Sequence, residues 1–113
     1  MKPEHGNLLA DVPANAAEEI FQPLLARPGL KIERIVSNGQ SSPEGFWYDS
    51  ADDEWVLLVS GSAALELEGQ PGLHMMQPGD WLHLPAHCRH RVAWTDATGP
   101  TVWLAVHHGG VDS

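Results

Sequence analysis

Two stretches of the sequence decide the fold: GFWYDSADDEWVLLVSG at residues 45–61 and PGDWLHLPAHCRHRVAW at residues 78–94. In the first stretch an acidic turn leads into an apolar strand that ends at a glycine. In the second stretch a Pro-Gly-Asp turn opens a strand, a proline ends it and a histidine follows. Two hairpins that are separated in sequence can each contribute an acid or an imidazole to one cavity of a small β-barrel. We expect the rest of the chain to form the wall of that cavity.

The size and charge of the chain narrow the class of protein. With 113 residues the sequence predicts a single domain over 1–113. A chain of this length can bury a hydrophobic core without disulfide or metal cross-links. Fifteen acidic against six basic residues give a net charge of -9, and such a field repels nucleic-acid phosphates and anionic lipid. We therefore expect neither a nucleic-acid nor a membrane partner. The lone Cys88 excludes an internal disulfide, and the absence of a signal-like or long apolar run predicts a cytoplasmic protein.

Hydrophobic periodicity divides the chain into a helical extension at 1–28 and a barrel at 29–108. In the extension Asn15 can cap a helix. Pro23 interrupts the apolar stripe that follows, so the predicted helix is short or kinked. From Gly29 onward some eight short strands alternate with turns about every eight residues, a pattern typical of an all-β sandwich or closed barrel.

The spacing of residues in the two stretches resembles the motifs of the cupin superfamily. Gly79, Pro85 and His90 fall on the spacing of the second cupin motif. Glu54 and Gly61 match the end of the first motif. The resemblance extends from about residue 29 to residue 107 and is closest to small single-domain bacterial cupins. It implies a jelly-roll β-barrel, and it supplies architecture more than a defined reaction.

The first motif departs from the cupin pattern, because the usual His-x-His pair before the glutamate is missing. With four residues between the pair and Glu54, its places are held by Trp47 and Asp49. With three intervening residues they are held by Tyr48 and Ser50. Half of the usual cupin ligand set is therefore replaced by other residues.

The candidate site residues are acids and imidazoles. Glu54 and His90 are the best pair of metal ligands, since carboxylate oxygen and imidazole nitrogen bind iron, manganese, nickel, cobalt or zinc. Asp49 is a third candidate if it points inward, although its sequence also suits an exposed turn. His87 stands where cupins usually have glycine, which indicates an unusual backbone angle more than a ligand. His107 shares a side of its strand with Trp103 and is a candidate general base if that side faces inward.

Two classes of function follow from these residues. The first is a divalent-metal cupin that binds or transforms a small organic molecule by dioxygenase, isomerase or lyase chemistry. The second is a metal-free binding or sensor protein whose cavity is lined by tryptophans, the candidates being Trp47, Trp81, Trp94 and Trp103. Trp55 should face away from the cavity, and the apolar run at 55–59 predicts a homodimer.

Overall fold

The structure is a computed structural model that describes residues 2–109. Eight β-strands follow one another along this part of the chain: β1 (Ile20–Arg27), β2 (Leu30–Ser37), β3 (Asp53–Ser60), β4 (Ala63–Leu67), β5 (His74–Met76), β6 (Trp81–Leu84), β7 (His90–Thr95) and β8 (Thr101–His108). The predicted all-β class is confirmed.

The strands form two antiparallel sheets that pack face to face. The larger sheet has the order β1-β2-β8-β3-β6, and the smaller one has the order β5-β4-β7. Apolar side chains from both sheets fill the space between them: Val56, Leu58, Ala63, Leu65, Leu67, Met76, Leu84 and Trp103. Each sheet therefore has an inner face on the core and an outer face toward solvent.

The register of β3 determines which of its side chains point to the inner face and which point to the outer face. Side chains alternate between the two faces of a strand, so the buried Val56 and Leu58 place Glu54 on the inner face as well. Glu54 lies between Leu84 of β6 and His107 of β8 in the backbone pairing. Asp53 and Trp55 point to the outer face for the same reason. One strand thus carries an acid toward each side of the sheet.

The predicted helix at 1–28 is wrong, because residues 20–27 form β1. This strand pairs antiparallel with β2 through a turn at Gly29, whose φ is +76°. Pro23 is tolerated because β1 lies at the edge of the sheet and its register shifts between Pro23 and Leu25. The sheet therefore begins at Ile20 and not at residue 29. Within residues 2–109 no helix is long and apolar enough to cross a membrane.

The segment before β1 is held on the outer face of the sheet by Arg34. This side chain of β2 donates to the carbonyl oxygens of Leu8 at 3.1 Å and Ala10 at 2.7 Å. Its Nε donates to Gln22 Oε1 on the neighbouring strand. A guanidinium group that is only 7% exposed needs such acceptors, and these bonds tie the N-terminal segment to the sheet.

Gly61, at the end of the first motif, is required because the turn between β3 and β4 lies close to the start of β8. Its φ is +91°, and a Cβ added there would lie 2.7 Å from Thr101 Cα. Gly69 has a similar φ of +85°, yet a Cβ there would meet nothing within 4 Å. The two glycines therefore separate the effect of the backbone angle from the effect of the contact.

We expect Gly61→Ala to destabilise the fold much more than Gly69→Ala. The left-handed backbone angle alone should cost about 1 kcal/mol at Gly69. At Gly61 the clash with Thr101 should raise the loss to about 3 kcal/mol or more. Urea unfolding of both variants measures the difference, and equal losses would contradict this explanation of Gly61.

Candidate metal and ligand site

A cavity of about 110 Å³ lies between the two sheets. Six ionisable side chains line it: Glu19, Glu33, Tyr48, Glu54, His90 and His107. The remaining lining is apolar: Phe21, Ile35, Val56, Leu65, Leu84, Val92 and Trp103. An apolar cavity with a few convergent polar groups is the usual form of a small-molecule site.

Glu54 and His90 meet in this cavity, as the sequence predicted. Glu54 Oε1 lies 3.5 Å from His90 Nε2, and the two side chains are 16% and 10% exposed. His90 Nδ1 lies 2.9 Å from the carbonyl oxygen of Cys88. Because a carbonyl oxygen only accepts, Nδ1 carries a proton and Nε2 of the neutral ring presents its lone pair to the carboxylate. Two acceptors facing each other require a proton or a metal ion between them.

The pKa values of His90 and Tyr48 reflect the negative charge of the cavity. Burial lowers the pKa of His90, but the hydrogen bonds to Glu54 and Cys88 and the charge of Glu54 outweigh it, and the net pKa is raised. Burial raises the pKa of Tyr48, and the charges of Glu19, Glu54 and Glu33 raise it further. The Tyr48 phenol therefore stays protonated at neutral pH and can donate a hydrogen bond into the cavity.

A second carboxylate–imidazole pair faces the same space. Glu33 Oε2 lies 3.0 Å from His107 Nε2, and Glu33 Oε1 lies 3.3 Å from Lys31 Nζ. Glu33 is only 4% exposed, whereas the His107 side chain is 25% exposed. The buried carboxylate thus holds an imidazole that remains accessible from the cavity. His107 lies inside, a direction that the sequence left open, and its role as a base stays a prediction.

Asp49 and His87 do not join Glu54 and His90. They form their own pair, with 2.8 Å between Asp49 Oδ1 and His87 Nδ1, and their side chains are 46% and 69% exposed. Neither residue lines the cavity. The condition that Asp49 points inward is not met, because Tyr48 pairs with the backbone of His90 and turns its ring to the cavity, which directs the next residue outward.

The placement of Tyr48 decides between the two spacings of the incomplete first motif. The spacing with three intervening residues puts Tyr48 at the first histidine place, and this agrees with the structure. His87, at the usual glycine place, has a φ of +64°, which matches the expected unusual backbone angle. The four predicted ligands are thus divided into an inner pair and an exposed pair, and their binding of metal stays a prediction.

The sequence did not reveal the contributions of Glu19, Glu33 and Tyr48 to the cavity. The sequence could have indicated Glu33, because it lies two residues before Ile35 and the two side chains therefore share one face of a strand. Glu19 precedes the predicted barrel and accepts a hydrogen bond from Ser37 Oγ at 2.6 Å. That bond could not be seen while residues 1–28 were assigned to a helix.

The tryptophans contribute less to the cavity than predicted. Trp103 lines it and donates from Nε1 to Ser37 Oγ at 3.2 Å. Trp81 and Trp94 are 59% and 43% exposed, and Trp47 packs against Arg89 instead. Trp55 lies on the outer face, as expected, and stacks on Trp81. Among the described tryptophans, Trp103 is therefore the one that lines this cavity.

A third group of potential ligands lies on the outer face of the larger sheet. Asp53, His83 and His108 each offer one ligand atom, and these atoms all lie within 4.8 Å of one another. The structure therefore contains a possible metal-binding triad that differs from the predicted ligand set.

The chain is similar to known cupins in sequence and structure. The cupin domain family model matches residues 34–107. A Ralstonia eutropha protein provisionally named a mannose-6-phosphate isomerase is 70% identical, with 96% of this chain and 100% of that chain covered and a TM-score of 0.94. A comparison with functionally curated proteins finds no match.

More distant solved structures share the fold alone. A cupin superfamily protein of Desulfitobacterium hafniense has a TM-score of 0.75 at 20% identity, covering 96% of this chain and 94% of its own. A Streptococcus pyogenes protein of unknown function has the same TM-score at 19% identity, covering 98% and 91%. The match of the cupin domain family model over residues 34–107 shows that the chain belongs to the cupin family.

Proposed function

We propose that this cupin binds a divalent transition metal at Glu54 and His90 and moves a proton on a small organic molecule, in an isomerase or lyase reaction. The observation that carries the proposal is the 3.5 Å approach of Glu54 Oε1 to His90 Nε2 in a cavity that also holds His107. One pair would bind the ion, and the other would supply the base.

The donor atoms of the first pair fit a metal. Carboxylate oxygen and imidazole nitrogen are ligands of manganese, iron, cobalt, nickel and zinc. The bond from His90 Nδ1 to Cys88 fixes the ring so that Nε2 faces Glu54, an arrangement common among metal-binding histidines. A bound divalent ion would act as a Lewis acid toward a carbonyl oxygen of the substrate.

The second pair has the features of a general base. Glu33 is buried and orients His107 from one ring nitrogen. A carboxylate in this position fixes the tautomer of an imidazole and stabilises its protonated form. His107 would accept a proton from a carbon next to the substrate carbonyl. The protonated Tyr48 on the cavity wall would donate a hydrogen bond to substrate oxygen.

The charge of the cavity narrows the substrate class. Glu19, Glu33 and Glu54 line it, and no lysine or arginine is among the lining residues of the described chain. Lys31 pairs with Glu33, but its side chain is 51% exposed. One divalent ion would offset two of the three carboxylates, so a phosphate group would still be repelled. The name of the Ralstonia eutropha protein refers to an isomerase of a phosphorylated sugar. An isomerase reaction suits this cavity, whereas a phosphorylated substrate does not. We propose a neutral carbonyl compound as substrate.

A metal-free binding protein is the second candidate function. It is favoured by the presence of Tyr48 at a usual histidine place, since this leaves two of the predicted ligands together inside the cavity. In this case a proton between Glu54 Oε1 and His90 Nε2 would take the place of the metal ion. The apolar lining and Trp103 would then hold the ligand without catalysis.

The predicted homodimer and the predicted cytoplasmic location remain proposals. The outer face of the larger sheet carries the stacked Trp55 and Trp81, and the latter is 59% exposed. This apolar surface supports contact with a second copy of the chain.

Replacing both inner ligands should remove the metal of the cavity. We expect Glu54→Gln/His90→Gln to lose one ion per chain relative to the wild type when both are purified without chelator, because both donor groups are gone. Elemental analysis measures this content. Asp49→Asn/His87→Gln is the control, since this pair lies outside the cavity and should change nothing there. Equal metal contents in all three proteins, with ligand binding that survives chelator, would support the metal-free alternative instead.

The stability of the metal-free protein should depend on the protonation of His90. The folded state raises the pKa of His90 above the ordinary value of 6.5. The stabilisation is fully present below that value and is lost as the pH rises through the folded pKa. The advantage of the wild type over His90→Gln should therefore shrink with rising pH in urea unfolding with chelator present. His74→Gln, at an exposed position of β5, is the control. A difference between wild type and His90→Gln that stays constant with pH would contradict this assignment.

Proton transfer can be detected without knowing the product. We expect the wild type to exchange protons next to the carbonyl of neutral hydroxy-aldehydes or hydroxy-ketones in deuterated water, and to act poorly on their phosphate esters. His107→Gln should slow the exchange by about 10²–10⁴-fold, the usual contribution of a general base. Nuclear magnetic resonance follows the exchange, with His74→Gln as the control. Preferred exchange of the phosphate esters would overturn the substrate class, and full activity of His107→Gln would overturn the role of His107.

A further inference from the structure

We propose that Asp53, His83 and His108 form a second metal site, on the outer face of the larger sheet, for a divalent ion of the zinc and nickel class. The site is independent of the cavity and of the function proposed for it. It would link β6, the edge strand, to β3 beside it and to β8 on the far side of β3.

The backbone pairing brings the three side chains together. Asp53 of β3 lies directly opposite His108 of β8, and His83 of β6 pairs with Trp55, two residues from Asp53. The rings of His83 and His108 are nearly parallel, with 13° between their planes and 5.9 Å between their centroids. Three adjacent strands thus present one carboxylate and two imidazoles to the same point.

The carboxylate is held in place from one side. Asp53 Oδ1 accepts a hydrogen bond from the backbone nitrogen of Ala86 at 2.7 Å. Its other oxygen lies 3.9 Å from His108 Nδ1, which is too far for a hydrogen bond. This carboxylate oxygen and the His108 imidazole therefore do not contact each other directly.

The ligand atoms need only a small movement to bind an ion. Metal–ligand bonds of about 2.0–2.1 Å in a tetrahedral site put ligand atoms about 3.3 Å apart. The observed atoms lie within 4.8 Å, so closing the site requires shifts of at most about 1.5 Å between them. His83 is exposed and can rotate without disturbing the core.

The mixture of donor atoms selects the class of ion. Two imidazoles and one carboxylate suit zinc, nickel, cobalt or copper, whereas magnesium and calcium prefer oxygen ligands alone. Three protein ligands leave at least one coordination position open for water. An ion bound in the folded state and not in the unfolded chain would stabilise the fold by mass action.

The sheet itself separates this site from the cavity. Glu54 and His107 are the sequence neighbours of Asp53 and His108, and both point to the inner face. Removing the inner ligands should therefore leave the outer site intact. Because of this separation, an experiment can contradict the outer metal site without contradicting the proposed cavity site, and the reverse.

Calorimetric titration of untagged, full-length protein with Zn²⁺ above neutral pH tests the outer site. In the Glu54→Gln/His90→Gln background we expect one Zn²⁺ per chain and a rise in the thermal unfolding temperature. Adding His83→Ala or Asp53→Asn should weaken Zn²⁺ binding by at least the roughly 10–100-fold that loss of a ligand's hydrogen-bond partner costs. Adding His74→Ala should change nothing, and Mg²⁺ should not compete.

Each outcome decides the proposal. Asp53→Asn keeps the side-chain oxygen that Ala86 needs, so it tests the ligand without disturbing the loop. If His83→Ala and Asp53→Asn bind Zn²⁺ as tightly as the His74→Ala control, the ion lies elsewhere and the site is overturned. Loss of all Zn²⁺ binding in the Glu54→Gln/His90→Gln background would likewise overturn it. Loss confined to the His83 and Asp53 variants supports it whatever the cavity binds.

Discussion

The two-residue alternation of side chains in the larger sheet is the constraint on which the rest of the structure depends. Asp53 and Glu54 are neighbours on β3, and His107 and His108 are neighbours on β8, yet each pair is divided between the two faces. Antiparallel pairing then sets acid beside imidazole on both sides of the sheet. A register shift of one residue would exchange the two faces and place Trp55 in the core. The same register therefore fixes the packing and both groups of potential ligands.

Lining one cavity with three carboxylates is costly, and the structure shows which groups offset this cost. Glu33 contacts Lys31 and His107, Glu19 accepts from Ser37, and Glu54 faces His90. Each of the three acids thus has a donor or cation near it, as charges that are partly removed from water require. The partners of Glu33 and Glu54 are imidazoles that also face the cavity. The groups that stabilise the charges are consequently the groups available for chemistry.

The sequence predicted the barrel well because its motifs report backbone geometry. Gly61 is required by the approach of Thr101, and the place of His87 requires a positive φ, so local spacing carries this information. The helix prediction failed because an apolar stripe containing Pro23 suits an edge strand as well as a short helix. The inward direction of Asp49 could not be predicted, since it depends on the pairing of Tyr48 with the distant His90. Contacts between strands far apart in sequence leave no periodic signal.

Tyr48 at a usual histidine place changes what the cavity can do. An imidazole there would offer a lone pair to a metal, whereas a phenol with a raised pKa keeps its proton and donates. Its ring also stacks on His90, with 5.3 Å between centroids, and so helps to hold that imidazole against Glu54. The replacement removes one potential ligand and adds a hydrogen-bond donor beside the remaining pair. These groups suit the proposed neutral, oxygen-containing substrate better than they would suit the complete enclosure of a metal ion.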